Sequence, residues 1–195
     1  HKDVVSAVIV NAAGNQAVSA GWDQTVRLWD LSQGSPSVVL PGHTGKVTCL
    51  ERACPNGSRI LSGSSDGTLR LWELELHSAR NIATFNSHGS GISSLALIGN
   101  GPLVASIDTD NWLVVRDIEK KTLVKSCQAH VKKVTRMVVT QDGKYLITSS
   151  SDGTVRVRDA PTGNKIGEIK YSNSVTDLAI DQGGKRLTMV TKGGE

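Results

Sequence analysis

Asp66-Gly67-Thr68-Leu69-Arg70-Leu71-Trp72-Glu73 is the stretch that decides the fold, because related octapeptides recur along the chain. The other copies begin at Asp23, Asp110 and Asp152, so successive leading aspartates lie 43, 44 and 42 residues apart. A nearly constant period of this size indicates one supersecondary unit built repeatedly, each copy burying its apolar face against a neighbour. Such architectures present surfaces to partners more often than they carry out catalysis.

Each copy divides into four short segments of β-strand character, separated by turn residues. In the second copy, strands are predicted at residues 47–53, 59–64, 68–74 and 82–85. Apolar and polar side chains alternate in the third of these, which predicts a strand with two different faces. The pairs Asp66-Gly67 and Asp152-Gly153 predict two-residue type I′ hairpin turns. A fifth, incomplete copy supplies two more predicted strands, at 175–180 and 186–190.

The composition fits a globular chain with a core. The 195 residues favour one domain, and the 38% hydrophobic and 21% charged content is ordinary for such a domain. The apolar runs are strand-sized, too short to cross a bilayer, and no secretory signal is visible, so we expect an intracellular protein, cytoplasmic or nuclear. Cys49, Cys54 and Cys127 have no metal-ligand spacing, which predicts buried thiols in a reducing compartment.

A histidine precedes each leading aspartate by 22 or 23 residues: His1, His43, His88 and His130. Together with the pair Gly42-His43, the run Ser62-Gly63-Ser64, the aspartate turns and the closing Trp-Asp, these positions resemble the WD40-repeat family over nearly the whole chain. The resemblance implies an all-β, WD40-type β-propeller with four complete four-stranded blades and part of a fifth. We expect residues 1–195 to form one partial propeller domain. Its repeat units are predicted at 1–42, 43–87, 88–129, 130–170 and, incomplete, 171–195.

Seven blades are the commonest number in the family, and at this period they need roughly 300 residues. The chain is therefore expected to be an arc of a seven-bladed or larger propeller. The remaining blades would come from a longer chain or from another segment, because open blade faces would leave apolar surface in water.

The family resemblance also implies a hydrogen-bonded tetrad inside each blade. Its members would be the histidine, a Ser or Thr four residues before the aspartate, the aspartate, and a tryptophan six residues after it. The resulting sets are His1, Ser19, Asp23 and Trp29; His43, Ser62, Asp66 and Trp72; His88, Ser106 and Asp110; and His130, Thr148 and Asp152. The fifth copy carries Tyr171 at the histidine position, so we expect it to lack this network.

Two arginines, Arg116 and Arg158, replace the tryptophan in the third and fourth copies. The first interpretation is that each guanidinium pairs with its own aspartate, Asp110 or Asp152, and stacks where the indole would. The alternative is that these blades form a polar face for an acidic partner.

The resemblance places partner-binding positions on the loops around the channel mouth. Trp22 stands out because the equivalent positions of the other copies carry small hydroxyl residues, and exposed tryptophans are common binding hot spots. Lys46 and Lys133 would add positive charge at the same mouth. Trp112, by contrast, is predicted to pack in the core or at a blade edge. The full predicted set is Trp22, Lys46, Thr48, Ser65, Thr109, Lys133, Thr135 and Ser151.

No catalytic, metal or cofactor site is predicted. A Ser or Thr, a His and an Asp recur together in each of the four complete copies, which indicates structure and not a nucleophile. The histidines belong to different copies and cannot converge on one ion, and no phosphate-binding glycine loop is present. We expect a non-enzymatic protein–protein interaction scaffold within a multiprotein complex, whose partners are proteins or peptides, with acidic ones among the candidates. The net charge of +4 leaves open an RNA- or ribonucleoprotein-associated subunit, and substrate recruitment for a larger enzyme such as a ubiquitin ligase is a further alternative.

Overall fold

A computed structural model describes residues 1–11, 13–32, 38–54, 57–75, 77–181, 183–184 and 186–193. These residues form eighteen β-strands and no α-helix. The described residues accordingly contain no helix with the length and apolar character needed to cross a membrane. The strands form four antiparallel four-stranded sheets and one two-stranded sheet, which confirms the predicted all-β class and the count of four blades plus part of a fifth.

The first two sheets, called blades 1 and 2, lie in a compact unit that spans His1–Leu95. Each is a meander in which consecutive strands pair. Blade 1 consists of β1 (Val5–Val10), β2 (Gln16–Gly21), β3 (Val26–Asp30) and β4 (Val38–Leu40). Blade 2 consists of β5 (Val47–Arg52), β6 (Arg59–Ser64), β7 (Thr68–Leu74) and β8 (Ala79–Asn86).

The second compact unit spans Ala96–Glu195, and the strand that begins blade 3 crosses the boundary between the units. Blade 3 consists of β9 (Ile92–Leu97), β10 (Leu103–Asp108), β11 (Trp112–Asp117) and β12 (Thr122–Gln128). Blade 4 consists of β13 (Val134–Val139), β14 (Tyr145–Ser150), β15 (Thr154–Asp159) and β16 (Lys165–Lys170). The fifth sheet contains β17 (Val175–Ile180) and β18 (Leu187–Thr191).

The core of each unit lies between adjacent blades. In the first unit, Trp72 of blade 2 is 2% exposed and belongs to one apolar cluster with blade 1 residues such as Val26 and Leu28. In the second unit, Leu146 of blade 4 clusters with Leu113 of blade 3. Because each sheet presents apolar side chains on the faces that its neighbours cover, burial by the next blade supplies much of the stabilising free energy.

The hairpin turns that carry the aspartates differ from the predicted type I′ turns. In blade 2 the N–H of Gly67 donates to the carbonyl of Ser64, three residues earlier, and Gly67 has a φ of 79°. A type I′ turn needs positive φ at two residues, whereas in this turn only the residue after the aspartate has it. The prediction of a two-residue turn is wrong, because the Asp66 side chain accepts the N–H of Thr68 and closes a longer loop.

Neighbouring blades within a unit are joined by hydroxyl groups on the inner strands. The hydroxyl of Thr48 in β5 donates to the carbonyl of Ile92 in β9 (2.6 Å). Ser6 and Thr135 donate in the same way to the carbonyls of Val47 (2.6 Å) and Val175 (2.8 Å), each the first residue of the next inner strand. Each of these hydrogen bonds attaches one inner strand to the first residue of the next inner strand.

Candidate functional site

A side-chain network links four residues of blade 2. The indole N–H of Trp72 donates to the hydroxyl of Ser62 (2.8 Å), and the Ser62 oxygen lies 2.7 Å from Nε2 of His43. Nδ1 of His43 lies 3.1 Å from the carboxylate of Asp66. Ser62 is 0% and His43 6% exposed. The structure therefore brings all four members of this predicted set together in a buried chain.

The donors and acceptors of this chain match when His43 is neutral. Ser62 then accepts from the indole and donates to Nε2, while Nδ1 carries the hydrogen and donates to Asp66. Burial lowers the pKa of His43, although the carboxylate of Asp66 acts to raise it. A second proton on the imidazole would oppose the Ser62 hydroxyl hydrogen, so the hydrogen bonding and the pKa favour the same neutral form.

The Asp66 carboxylate stays ionised although it is largely covered. Burial acts to raise its pKa, but hydrogen bonds from the hydroxyl and N–H of Thr68 and the N–H of Thr44 lower the pKa by more, to below its ordinary value. The aspartate therefore organises the turn that contains it and the loop before β5.

Blades 1 and 4 contain similar networks with one difference. In blade 1, His1 lies 2.8 Å from Asp23 and 2.7 Å from Ser19, which accepts from Trp29. In blade 4, His130 lies 3.2 Å from Asp152 and 2.8 Å from the hydroxyl of Thr148. In blade 4, Arg158 occupies the sequence position that holds a tryptophan in blades 1 and 2.

Arg158 does not follow the predicted pairing with Asp152. Arg158 is 5% exposed, and its guanidinium donates to the backbone carbonyls of Ala129 (3.4 Å) and Gly163 (3.2 Å). Burial lowers its pKa. The guanidinium of Arg116 likewise lies 3.5 Å from a carbonyl, that of Lys121. Carbonyls of the adjacent loops are the acceptors because the arginine side chain reaches past the position that an indole N–H occupies.

Blade 3 places its buried carboxylate two residues before the predicted one. Asp110 is exposed, whereas Asp108 is 3% exposed and accepts the N–H groups of Asp110 (3.0 Å) and Trp112 (2.8 Å). Ser106 is 1% exposed on β10, and His88 is half-buried in the loop before β9. Asp108 stands at the position of Ser64 in blade 2 and of Ser150 in blade 4. This acidic substitution was a signal in the sequence that the prediction missed.

Trp22 and Lys46 form the clearest candidate binding feature. Nζ of Lys46 lies 3.9 Å from the centroid of the Trp22 ring, and Trp22 remains 39% exposed. A backbone hydrogen bond holds each of the two residues. The N–H of Trp22 donates to the carbonyl of Val4, and the carbonyl of Lys46 accepts the N–H of Ser65. A cation–π pair of this kind presents an aromatic ring and a positive charge on a fixed backbone.

The other predicted partner residues divide into two groups. Ser65, Thr109 and Lys133 are exposed and Ser151 is half-buried; the N–H of Ser151 donates to the carbonyl of Lys133, as Ser65 donates to Lys46. Thr48 and Thr135, by contrast, use their hydroxyls in the hydrogen bonds between blades. Their hydroxyl groups therefore serve the packing of inner strands.

Trp112 is 44% exposed, so of the two predicted environments, the core and a blade edge, the core is wrong for this side chain. It stands where blades 1, 2 and 4 have a threonine that donates to the aspartate: Thr25, Thr68 and Thr154. A tryptophan has no hydroxyl to donate to a carboxylate, and this side chain lies at the surface.

The loop before β17 is one residue shorter than the loop before β13. The N–H of Tyr171 donates to the carbonyl of Gly153, just as the N–H of Ala129 donates to Asn111. Tyr171 is thus equivalent to Ala129, the residue before the histidine. The placement of Tyr171 at the histidine position is wrong, because spacing alone does not locate the missing residue.

The hydroxyls of the networks are closed to substrates. Ser62 and Thr148 are both 0% exposed, so neither oxygen can attack a bound molecule. No group of three or more His, Cys, Asp or Glu side chains that could hold a metal ion occurs among the described residues. The three cysteines are free thiols, and burial raises the pKa of Cys49 to about 12. The chemistry of these clusters is hydrogen bonding that holds loops in place.

Comparison with known sequences identifies one family. The family described as "WD domain, G-beta repeat" matches residues 1–30, 34–73, 79–117 and 121–159, which is more than half of the chain. Three similar proteins illustrate the range of relatives. "Nuclear distribution protein PAC1" of Arthroderma benhamiae is 27% identical over 173 residues, 84% of this chain and 37% of that protein. "Autophagy-related protein 16" of Arabidopsis thaliana is 29% identical over 201 aligned positions, 100% of this chain and 38% of that protein.

The third relative, "Transducin-like enhancer protein 2" of Mus musculus, is 27% identical over 186 residues, 91% of this chain and 24% of that protein. The chain thus spans well under half the length of each of these relatives.

Proposed function

Because the chain belongs to the WD domain, G-beta repeat family, we propose that it is a non-enzymatic scaffold that binds other proteins within a multiprotein complex. The names of its relatives refer to different processes, nuclear distribution and autophagy among them. A shared role in holding partners fits this variety better than a shared reaction does. The proposed setting is the cell interior, in the cytoplasm or the nucleus.

The observation that carries the proposal is the exposed Trp22 ring beside Lys46. An aromatic side chain at a loop tip supplies a large contact area with few rotatable bonds, so binding costs little entropy. Trp22 is 39% exposed, and Lys46 leaves part of the ring available to a partner. We propose that this pair receives a peptide that offers an aromatic or apolar side chain next to a carboxylate.

The buried networks support the same proposal by making the loops rigid. His43 bridges Ser62 of β6 and Asp66 of the following turn, and the N–H of Thr44 donates to the same Asp66. The loop that carries Lys46 is therefore tied to the sheet at a point three residues before it. A surface ordered before binding loses less conformational freedom when a partner arrives.

A further blade is the proposed neighbour of the open face of blade 1. Trp72 is 2% exposed because blade 1 covers it, whereas the equivalent Trp29 is half-buried. Val8 and Val10 of β1 are also exposed, at 59% and 39%. Another four-stranded sheet, joined in the manner of blades 1 and 2, would cover these side chains. Residues 1–195 would then be one part of a larger propeller domain, with repeat units as predicted.

The test compares the proteins that copurify with the chain and with its Trp22→Ser/Lys46→Ser variant. The matched control is Leu123→Ser, which removes an exposed apolar side chain (55%) from the outer strand of blade 3. We expect the double variant to lose stoichiometric partners that the control retains. An unchanged set of partners in the double variant would show that this surface is not the binding site.

A further inference from the structure

We infer that the second unit contains a separate docking surface for an acidic peptide with one large apolar side chain. The surface consists of Trp112, Val131, Lys132 and Lys133 and is called the Trp112 patch. It shares no residue with the Trp22–Lys46 pair, so the two proposals stand or fall independently.

The first observation is the side chain of Trp112. The equivalent positions of blades 1, 2 and 4 are threonines with hydroxyls bonded to an aspartate. Tryptophan has no hydroxyl for this role, and in blade 3 it is the backbone N–H of Trp112 that donates to a carboxylate, that of Asp108. The indole lies at the surface with 44% exposure. A ring in this place does not contribute to the core that its blade shares with blade 4.

The second observation is Val131, the residue after His130. The residues after the other three histidines are polar or small: Lys2, Thr44 and Gly89. Val131 is 71% exposed, the highest value of any large hydrophobic residue in the described part of the chain. Trp112 and Val131 thus occupy positions that are polar or small in the other blades, and both carry an exposed apolar side chain.

Hydrogen bonds hold the loop that contains Val131 against the residue before Trp112. Asn111, with a φ of 65°, precedes Trp112. Its carbonyl accepts the N–H of Ala129 (2.8 Å), and its side-chain oxygen accepts the N–H of Val134 (2.8 Å). Both ends of the loop that contains Val131 are therefore fixed to the residue next to Trp112. The patch is ordered before any ligand binds.

Charge determines the kind of partner. Residues 1–95 contain equal numbers of cationic and anionic side chains, so the net charge of +4 arises entirely within residues 96–195. Lys132 and Lys133 are both exposed and follow Val131 directly. Asp110, which precedes Asn111, is an exposed carboxylate on the side of the patch away from these lysines in the sequence. The peptide carboxylates therefore lie on the lysine side of the patch, and the apolar side chain contacts Trp112 and Val131.

The four tryptophans of the chain provide the measurement. In an ¹H–¹⁵N spectrum of the full chain each indole N–H gives one resonance, and those of Trp29 and Trp72 are held by Ser19 and Ser62. A short glutamate-rich peptide with a central leucine is titrated into the sample. We expect the Trp112 resonance to shift while that of Trp72 does not. The same peptide with serine in place of leucine, a lysine-rich peptide with leucine, and a single-stranded RNA are the comparison ligands.

Variants separate the two components of the patch. Trp112→Thr and Val131→Thr introduce residues that other blades carry at these positions, and each is expected to raise the Kd of the glutamate–leucine peptide about tenfold or more. Lys132→Glu/Lys133→Glu is expected to weaken the same peptide and to improve binding of the lysine-rich one. Unshifted backbone amide resonances of Ala105 and Leu146, which lie in the core of the second unit, show that this unit stays folded in each variant.

Three results would overturn the inference. They are an unshifted Trp112 resonance at millimolar peptide, an equal shift with the serine peptide or with RNA, and an unchanged Kd in Trp112→Thr. The Trp22 resonance reports the other surface in the same spectra. Failure of one proposal is therefore visible without affecting the other.

Discussion

Trp72 donates its indole N–H to the hydroxyl of Ser62 across 2.8 Å, and the same bond joins Trp29 to Ser19 in blade 1. The two bonds have equal length but different surroundings. Blade 1 covers the ring of Trp72, which is 2% exposed, whereas Trp29 is half-buried. The energetic value of one motif therefore depends on the neighbouring sheet.

Trp72→Phe is expected to lower the free energy of unfolding by about 1–3 kcal/mol, because it leaves a buried lone pair of Ser62 without its donor. Trp29→Phe is expected to cost less than about 1 kcal/mol, since water can reach that network. Urea denaturation of both variants measures the difference. Equal losses in the two variants would contradict the dependence on the neighbouring blade.

The buried histidines make stability depend on pH. Burial lowers the pKa of His43 and of His130 from the ordinary value of 6.5, so below that pH the unfolded chain binds more protons than the folded one. The free energy of unfolding should therefore fall as pH drops below about 6.5. The pKa of Asp66 and of Asp152 is also lowered, and the stability from these carboxylates is present above 3.8 and lost at more acid pH.

Urea denaturation at a series of pH values checks this prediction. His43→Asn removes one titrating group and should flatten the slope between about pH 7 and pH 5. His77→Asn is the matched control, since that imidazole is 62% exposed. A slope in His43→Asn as steep as in the unmodified chain would show that the buried imidazole is not responsible.

Arg158→Trp is expected to raise the free energy of unfolding by about 1 kcal/mol. The substitution removes a buried cation and supplies an indole N–H to Thr148, as Trp72 does to Ser62. The carbonyl of Ala129 keeps a donor because Arg156 lies 2.6 Å away. Denaturation in urea gives the value, and Arg158→Met separates the loss of charge from the gain of the indole donor. A loss of stability in Arg158→Trp would mean that the bonds to Ala129 and Gly163 outweigh the cost of burying the cation.

Thr48→Val should cost about 1 kcal/mol, because it keeps the shape of the side chain but removes the hydroxyl that bonds to Ile92. Thr176→Val is the control, since Thr176 is exposed and bonds only within its own sheet, to Val190 (3.0 Å). Its cost should stay below about 0.5 kcal/mol. Denaturation of both variants is the measurement, and a larger loss in Thr176→Val would contradict the role given to the bond between blades.

The strands were predictable because their signals are local. The strand at 68–74 and the strand at 175–180 have the bounds that the sequence predicted. The spacing from histidine to aspartate also selected the residues that the structure brings together in blade 2. In blade 3 the same spacing led to Asp110, whereas the buried carboxylate is Asp108, because the choice between two nearby acids depends on which side chain faces the sheet interior.

By itself the sequence determined the all-β class, the repeated four-stranded unit and the family, because a period of 43, 44 and 42 residues and alternating strands are properties of the chain order. Only the tertiary structure decided that Thr48 bonds to the next inner strand, that Arg158 bonds to loop carbonyls, and that Trp112 is exposed. The physical reason is that each of these depends on backbone atoms of a neighbouring turn, loop or blade. Their positions are set by packing between segments that no local pattern specifies.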